Sequence, residues 1–250
     1  MIRQVKTMVI ASLVTAGLLL AAMHARCAPE ERPDRWIEIK DARLKIERND
    51  TDGDAVIQVL LDADPWRWME IYDTNGRRLM RVSMSAAFGI QGGTELFLES
   101  GEPSFDEVSY EEFLARFPEG EYFFLGRGVE NEQFFGFATL THDVPDGPVL
   151  VGPHETGPLV DPDDAVLRWL PVPPPNGSPI VGYQVIVVRP DTGIPGLPKI
   201  VLDVMMPPTA TSLDVPPGFL SRDTRYEWEV LSVERGGNQT LSSSFFRTAP

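Results

Sequence analysis

The sequence is poor in the residues that carry most enzyme and metal chemistry. Cysteine occurs once, at Cys27, and histidine three times in 250 residues. A disulfide framework and a thiolate zinc site both need more cysteines, so neither is available. Two of the histidines, His142 and His154, flank a Pro- and Gly-containing stretch and read as solvated linker residues. Phosphate loops and Gly-x-Ser-x-Gly elbows are absent; Gly89, Gly92 and Gly93 are not followed by Lys-Ser or Lys-Thr. Positive charge is also scarce, with 22 basic residues against 37 acidic and a formal charge of −15. Such a field repels nucleic acid and anionic membranes, so neither is an expected partner. A carboxylate pair for glycoside hydrolysis could be drawn from so many acids, but no pair is singled out.

Long hydrophobic runs are limited to one. Arg3 and Lys6 precede an apolar stretch, Met8–Met23, and Ala25-Arg26-Cys27 then offers a cleavage pattern. The stretch is shorter than the roughly 20 residues of a membrane span. Residues 1–27 therefore read as a signal peptide, with no membrane insertion after its removal; an uncleaved membrane anchor is the alternative reading. Loss of Arg3, Lys6 and Arg26 takes the charge from −15 to −18 and leaves no cysteine. A disulfide-free exported chain points to a bacterium, in the periplasm or outside the cell. The Asn-x-Ser/Thr matches at Asn49, Asn176 and Asn238 are then coincidental.

What the sequence does have is turns: 21 glycines and 23 prolines among short β-branched and aromatic stretches. The expected class is mainly β in two domains. Residues 28–35 read as a flexible leader, 36–143 as an amino-terminal β-rich, sandwich-like domain, 144–148 as a linker, and 149–249 as a second sandwich. In the first domain strands are expected at 36–46, 56–61 and 95–99. A hairpin joins 66–72 to 77–84 through Asn75-Gly76, and another joins 121–127 to 133–141. One helix is expected over about 109–117. Ser109 and Glu112 have capping-box spacing, and Tyr110, Phe113, Leu114 and Phe117 form one apolar face. The strands around Tyr122–Leu125 and Phe134–Phe137 are apolar on both faces, so a second sheet is expected on one face and the helix on the other.

In the second half, VLRWLPV (166–172), IVGYQVIVV (180–188) and LSRDTRYEWEV (220–230) follow one another with strand spacing. They resemble the second, third and sixth strands of fibronectin type III domains. The resemblance implies a seven-stranded immunoglobulin-like sandwich, with Trp169 and Tyr183 in its core. It also implies that Leu220 and Tyr226 form a tyrosine corner whose hydroxyl bonds back to the preceding turn. No Arg-Gly-Asp tripeptide is present. The chain as a whole resembles exported bacterial proteins with a carboxy-terminal fibronectin type III domain, which implies an architecture and no activity.

Two features suggest contacts. Asp50, Asp52 and Asp54 could offer oxygens to calcium, although their spacing departs from the EF-hand loop; a solvated acidic turn is the alternative, and otherwise no cofactor is expected. Trp66 and Trp68, two apart on a strand, would share one face and could form a stacking platform or lie in the core. The expected function is that of an exported, non-catalytic binding or accessory protein with a protein or glycan partner. An envelope hydrolase and a structural spacer are the alternatives.

Overall fold

The computed structural model describes residues 35–250; the signal segment and residues 28–34 of the leader lie outside the described residues. Trp36–Pro250 forms one compact unit. It contains fourteen strands: β1 (Trp36–Glu38), β2 (Asp41–Asn49), β3 (Asp54–Tyr72), β4 (Arg78–Ser83), β5 (Gly93–Glu99), β6 (Gly120–Gly128), β7 (Gln133–Leu140), β8 (Leu150–Gly152), β9 (Val166–Trp169), β10 (Ile180–Val188), β11 (Ile200–Met206), β12 (Ser212–Asp214), β13 (Arg225–Glu234) and β14 (Gln239–Arg247). Two short helices, α1 (Ala86–Gln91) and α2 (Tyr110–Arg116), belong to the amino-terminal half. No helix among the described residues is long and apolar enough to cross a membrane.

The amino-terminal sandwich turns on β3. Sequence reading divides 54–72 into two strands, but it is one strand that serves two layers. Its first part pairs β2 and β5; its second part pairs β4 and β6. Ile57, Val59, Leu61 and Ala63 point inward at period two, and Trp66, Met69 and Ile71 continue the core beyond a change of register. Beside the second part, β6 pairs β7, and β7 pairs β1 in parallel.

Helix α2 begins as its sequence requires. Ser109 Oγ accepts the Glu112 N–H at 3.2 Å, while the Glu112 carboxylate pairs with Arg116 at 2.6 Å instead of reaching back to the cap. Its apolar face seals the inner core: Phe113 is buried there, and Tyr110, Leu114 and Phe117 pack around it. The expectation that this helix covers the second apolar face of β6 and β7 is therefore corrected. One helix face cannot serve both sides of a sheet, and the core side takes it.

The carboxy-terminal half is a seven-stranded sandwich. Strands β8, β9 and β12 form one sheet, and β11, β10, β13 and β14 form the other. Trp169, Tyr183, Tyr226, Trp228 and Phe246 fill the space between them. The Tyr226 hydroxyl accepts the Ser221 N–H at 2.8 Å, and Leu220 is buried beside the corner. The indole of Trp228 donates to the Pro153 carbonyl at 3.0 Å.

The two sandwiches share a sheet. Strand β14 pairs β2 in parallel through Gln239–Glu47, Thr240–Arg48 and Leu241–Asn49. At the head of this seam Asn238, 2% exposed, accepts the Ile46 N–H at 2.9 Å and donates to the Thr141 carbonyl and hydroxyl, each at 3.0 Å. The stretch that composition marks as a linker is also engaged. Ser232 Oγ donates to the Asp146 carbonyl at 2.8 Å, Thr240 Oγ1 donates to the Pro145 carbonyl, and the Gly147 N–H donates to Asp50 at 2.8 Å. These contacts give otherwise buried backbone groups their partners.

Candidate interaction surface

The surface is built from the outward side of β4, β3, β6, β7 and β1. A bulge in β3 determines which residues stand on it. Trp66 and Trp68 face Gly128 and Arg127, which are adjacent, so Arg67 is an extra residue with no opposite number. A bulge of one residue reverses the face of everything after it. Trp66 is therefore fully buried in the core, while Trp68 lies on the outer face. This corrects the shared platform expected from their spacing. The outer tryptophan is also occupied, because the Arg81 guanidinium sits 4.6 Å from its ring centroid.

Beyond the bulge the register lays out three rungs. The first runs through Trp68, Arg127, Gln133 and Trp36. The second runs through Arg81, Glu70, Leu125, Phe135 and Glu38. The third runs through Arg78, Tyr72, Phe123 and Phe137. On the β3–β4 side the polar groups satisfy one another. Glu70 is buried, receives Arg78 at 2.7 Å and Arg81 at 2.9 Å, and accepts the Tyr72 hydroxyl at 2.6 Å. The Tyr72 hydrogen bond and the two guanidinium groups hold its carboxyl below the usual range despite burial.

On the β6–β7–β1 side the face is aromatic and open. Trp36 meets Phe135 at 6.2 Å, Phe135 meets Phe137 at 6.3 Å, and Phe137 meets Phe123 at 5.2 Å, all edge to face. Trp36 is 55% exposed, Phe137 47% and Phe123 36%. A continuous solvent-facing ring strip is the kind of apolar patch found at interaction surfaces. Sequence reading recognises the two-sided apolar character of β6 and β7; what it lacks is the position of α2, which leaves this side open.

The acidic turn is organised by its own residues. Asn49 Oδ1 accepts the Thr51 and Asp52 N–H groups, and its amide donates to Asp52. Asp50 pairs with Arg48 at 2.6 Å, and Asp54 bridges to Ser104 through the backbone. Among the described residues no group of three or more His, Cys, Asp or Glu side chains could hold a metal. His142 and His154 have separate partners, the Phe117 carbonyl at 2.9 Å and Ser244 at 3.3 Å.

No protein-family model matches the chain, and no curated protein matches it. Among solved structures the chain is similar to the fibronectin(III)-like modules of Clostridium thermocellum CbhA, at 7% identity and a TM-score of 0.34, over 84% of this chain and 93% of that one. It is similar to the chicken CNTN1 FN1–FN3 domains at 10% identity and 0.32, over 86% and 65%. A bacterial ice-binding adhesin structure matches at 14% identity and 0.26, over 87% and 66%. The three-plus-four strand order of β8–β14, not these low scores, gives the carboxy-terminal half a fibronectin type III-like sandwich fold.

Proposed function

We propose that this chain is an exported, non-catalytic binding module that engages a protein partner through its amino-terminal aromatic face. The observation that carries the reading is the strip of exposed Trp36, Phe137 and Phe123, linked through half-buried Phe135, beside an arginine- and tyrosine-bearing cluster. Aromatic residues and arginine are the types enriched at the centres of protein interfaces. A protein surface fits this face better than a sugar. Neighbouring rings stand at 66°, 71° and 72° to each other and present no shared plane for a pyranose. Export rests on the charged start, apolar run and small-residue site within residues 1–27.

The test is retention of envelope proteins from the source cells on the immobilised chain, compared with the double variant Phe123→Ser with Phe137→Ser. A discrete protein should be held by the natural chain and lost from the variant, while both unfold at the same temperature. Retention on an envelope polysaccharide that survives the double change would overturn the reading.

A further inference from the structure

A second surface lies where the two halves share their sheet, on the outward side of β2. Strand register places Leu60 of β3 and Phe97 of β5 on one flank; Val233 of β13 and Met205 of β11 line the other. Between them is a groove of about 280 Å³, near the lower end of the roughly 300–1,000 Å³ usual for small-molecule sites. Phe97 is 62% exposed and Met205 61%, so both flanks offer apolar surface to solvent.

Lys45 lies between these flanks. Its ammonium donates to Gln239 Oε1 at 2.8 Å, and no carboxylate of the described residues is within ion-pair distance. The acids nearest on this face are held by amides. Gln239 Nε2 donates to Glu47, and Gln58 Nε2 donates to Glu99 at 2.7 Å. Arg43, next along the strand, pairs with Asp41. Lys45 thus has one neutral acceptor for three donors. Burial disfavours its charge more than Glu47 and Glu99 restore it. Glu47 and Glu99 act on Lys45 through space but make no direct ion pair with it, so the ammonium keeps donors to spare beside an apolar surface.

We propose that this groove binds small amphiphilic monocarboxylates, with the carboxylate on Lys45 Nζ and the apolar chain laid between Phe97 and Met205. Charge complementarity identifies the head group. Glu47 and Glu99 weigh against multiply charged anions such as phosphate. The site is separate from the aromatic strip and does not depend on its role.

Octanoate titrated into the full chain tests this, followed by calorimetry and by the Lys45 side-chain NMR resonance. Saturable binding that shifts this resonance is expected, and Lys45→Met should weaken it by about tenfold or more. Phe97→Ser, at an exposed position, should also weaken it and keeps the test decisive if Lys45→Met does not fold. Inorganic phosphate should compete poorly. The proposal falls if octanoate fails to saturate, if either variant binds it as well as the natural chain, or if phosphate competes equally. It falls equally if Phe123→Ser with Phe137→Ser abolishes octanoate binding.

Discussion

In the carboxy-terminal sandwich both tryptophans and both tyrosines point inward: Trp169, Trp228, Tyr183 and Tyr226 are all buried. The amino-terminal sandwich divides its own between two faces. Trp66 and Tyr122 are in the core, whereas Trp36, Trp68 and Tyr72 stand outside. The same residue types thus close one module and are displayed by the other. A fold with two sheets and no further layer has one interior, and aromatic residues beyond what that interior holds become surface.

The contrast can be broken most sharply by truncating one ring from each class. Trp228→Ala should cost about 3–5 kcal/mol in urea unfolding, because it leaves a buried void and an unpartnered Pro153 carbonyl. Phe137→Ala, on the open face, should stay within about 1 kcal/mol. Equal costs would mean that the outer strip is as structural as the core.

The seam asks whether the two halves are separate at all. The natural chain should unfold in one transition, since the halves share a sheet. Asn238→Ala leaves the Ile46 N–H buried without a partner, at a cost of about 1–3 kcal/mol. Its denaturation should separate into two steps, detectable by following tryptophan fluorescence and circular dichroism together. A single unshifted transition would show that the three β2–β14 rungs are sufficient without it.

A smaller effect should come from Glu229, on the outer side of β13. Burial, with repulsion from Glu227, Glu47 and Asp203, pushes its carboxyl up to about 7. Its contribution is fully present below the unfolded value near pH 4.5 and is lost as pH rises through about 7. Stability should therefore fall across that window by about 1–2 kcal/mol, after allowance for partial solvent screening. Glu229→Gln should flatten the slope in thermal melts at pH 5 and pH 8.

The smallest effects belong to tyrosine hydroxyls bonded to the backbone, of which Tyr122 and Tyr226 offer one example from each half. Tyr122 donates to the Pro118 carbonyl at 2.8 Å, and Tyr226 accepts from the Ser221 N–H at the same distance. Each Tyr→Phe change should cost about 0.5–1.5 kcal/mol by chemical denaturation. A larger loss at Tyr226 is expected if the Ser221 N–H finds no other acceptor.

These differences also explain what could be read in advance. Trp169, Tyr183 and Tyr226 are legible through the resemblance of their segments to fibronectin type III strands, and all three are buried. Ser109 and its apolar i, i+3, i+4, i+7 face identify α2. The bulge at Arg67 has no comparable sign: one extra residue leaves composition unchanged yet sends Trp66 and Trp68 to opposite faces. Helix α1 is hidden by Gly89, Gly92 and Gly93, which read as loop. The seam is the least legible part, because Asn238 meets Ile46 across 192 positions and carries no local pattern.

The parallel pairing of β14 with β2 has a mechanical side. Strands that run the same way and are pulled from opposite ends slide along each other instead of peeling apart. Tension between Trp36 and Pro250 would draw on the start of β2 and the end of β14. The three seam rungs would then share that load at once, together with the Thr51 hydroxyl on the Ser243 N–H and the Leu241 carbonyl on the Asp50 N–H. A seam loaded in shear resists until all its bonds yield together, so this junction would give way in a single step rather than rung by rung.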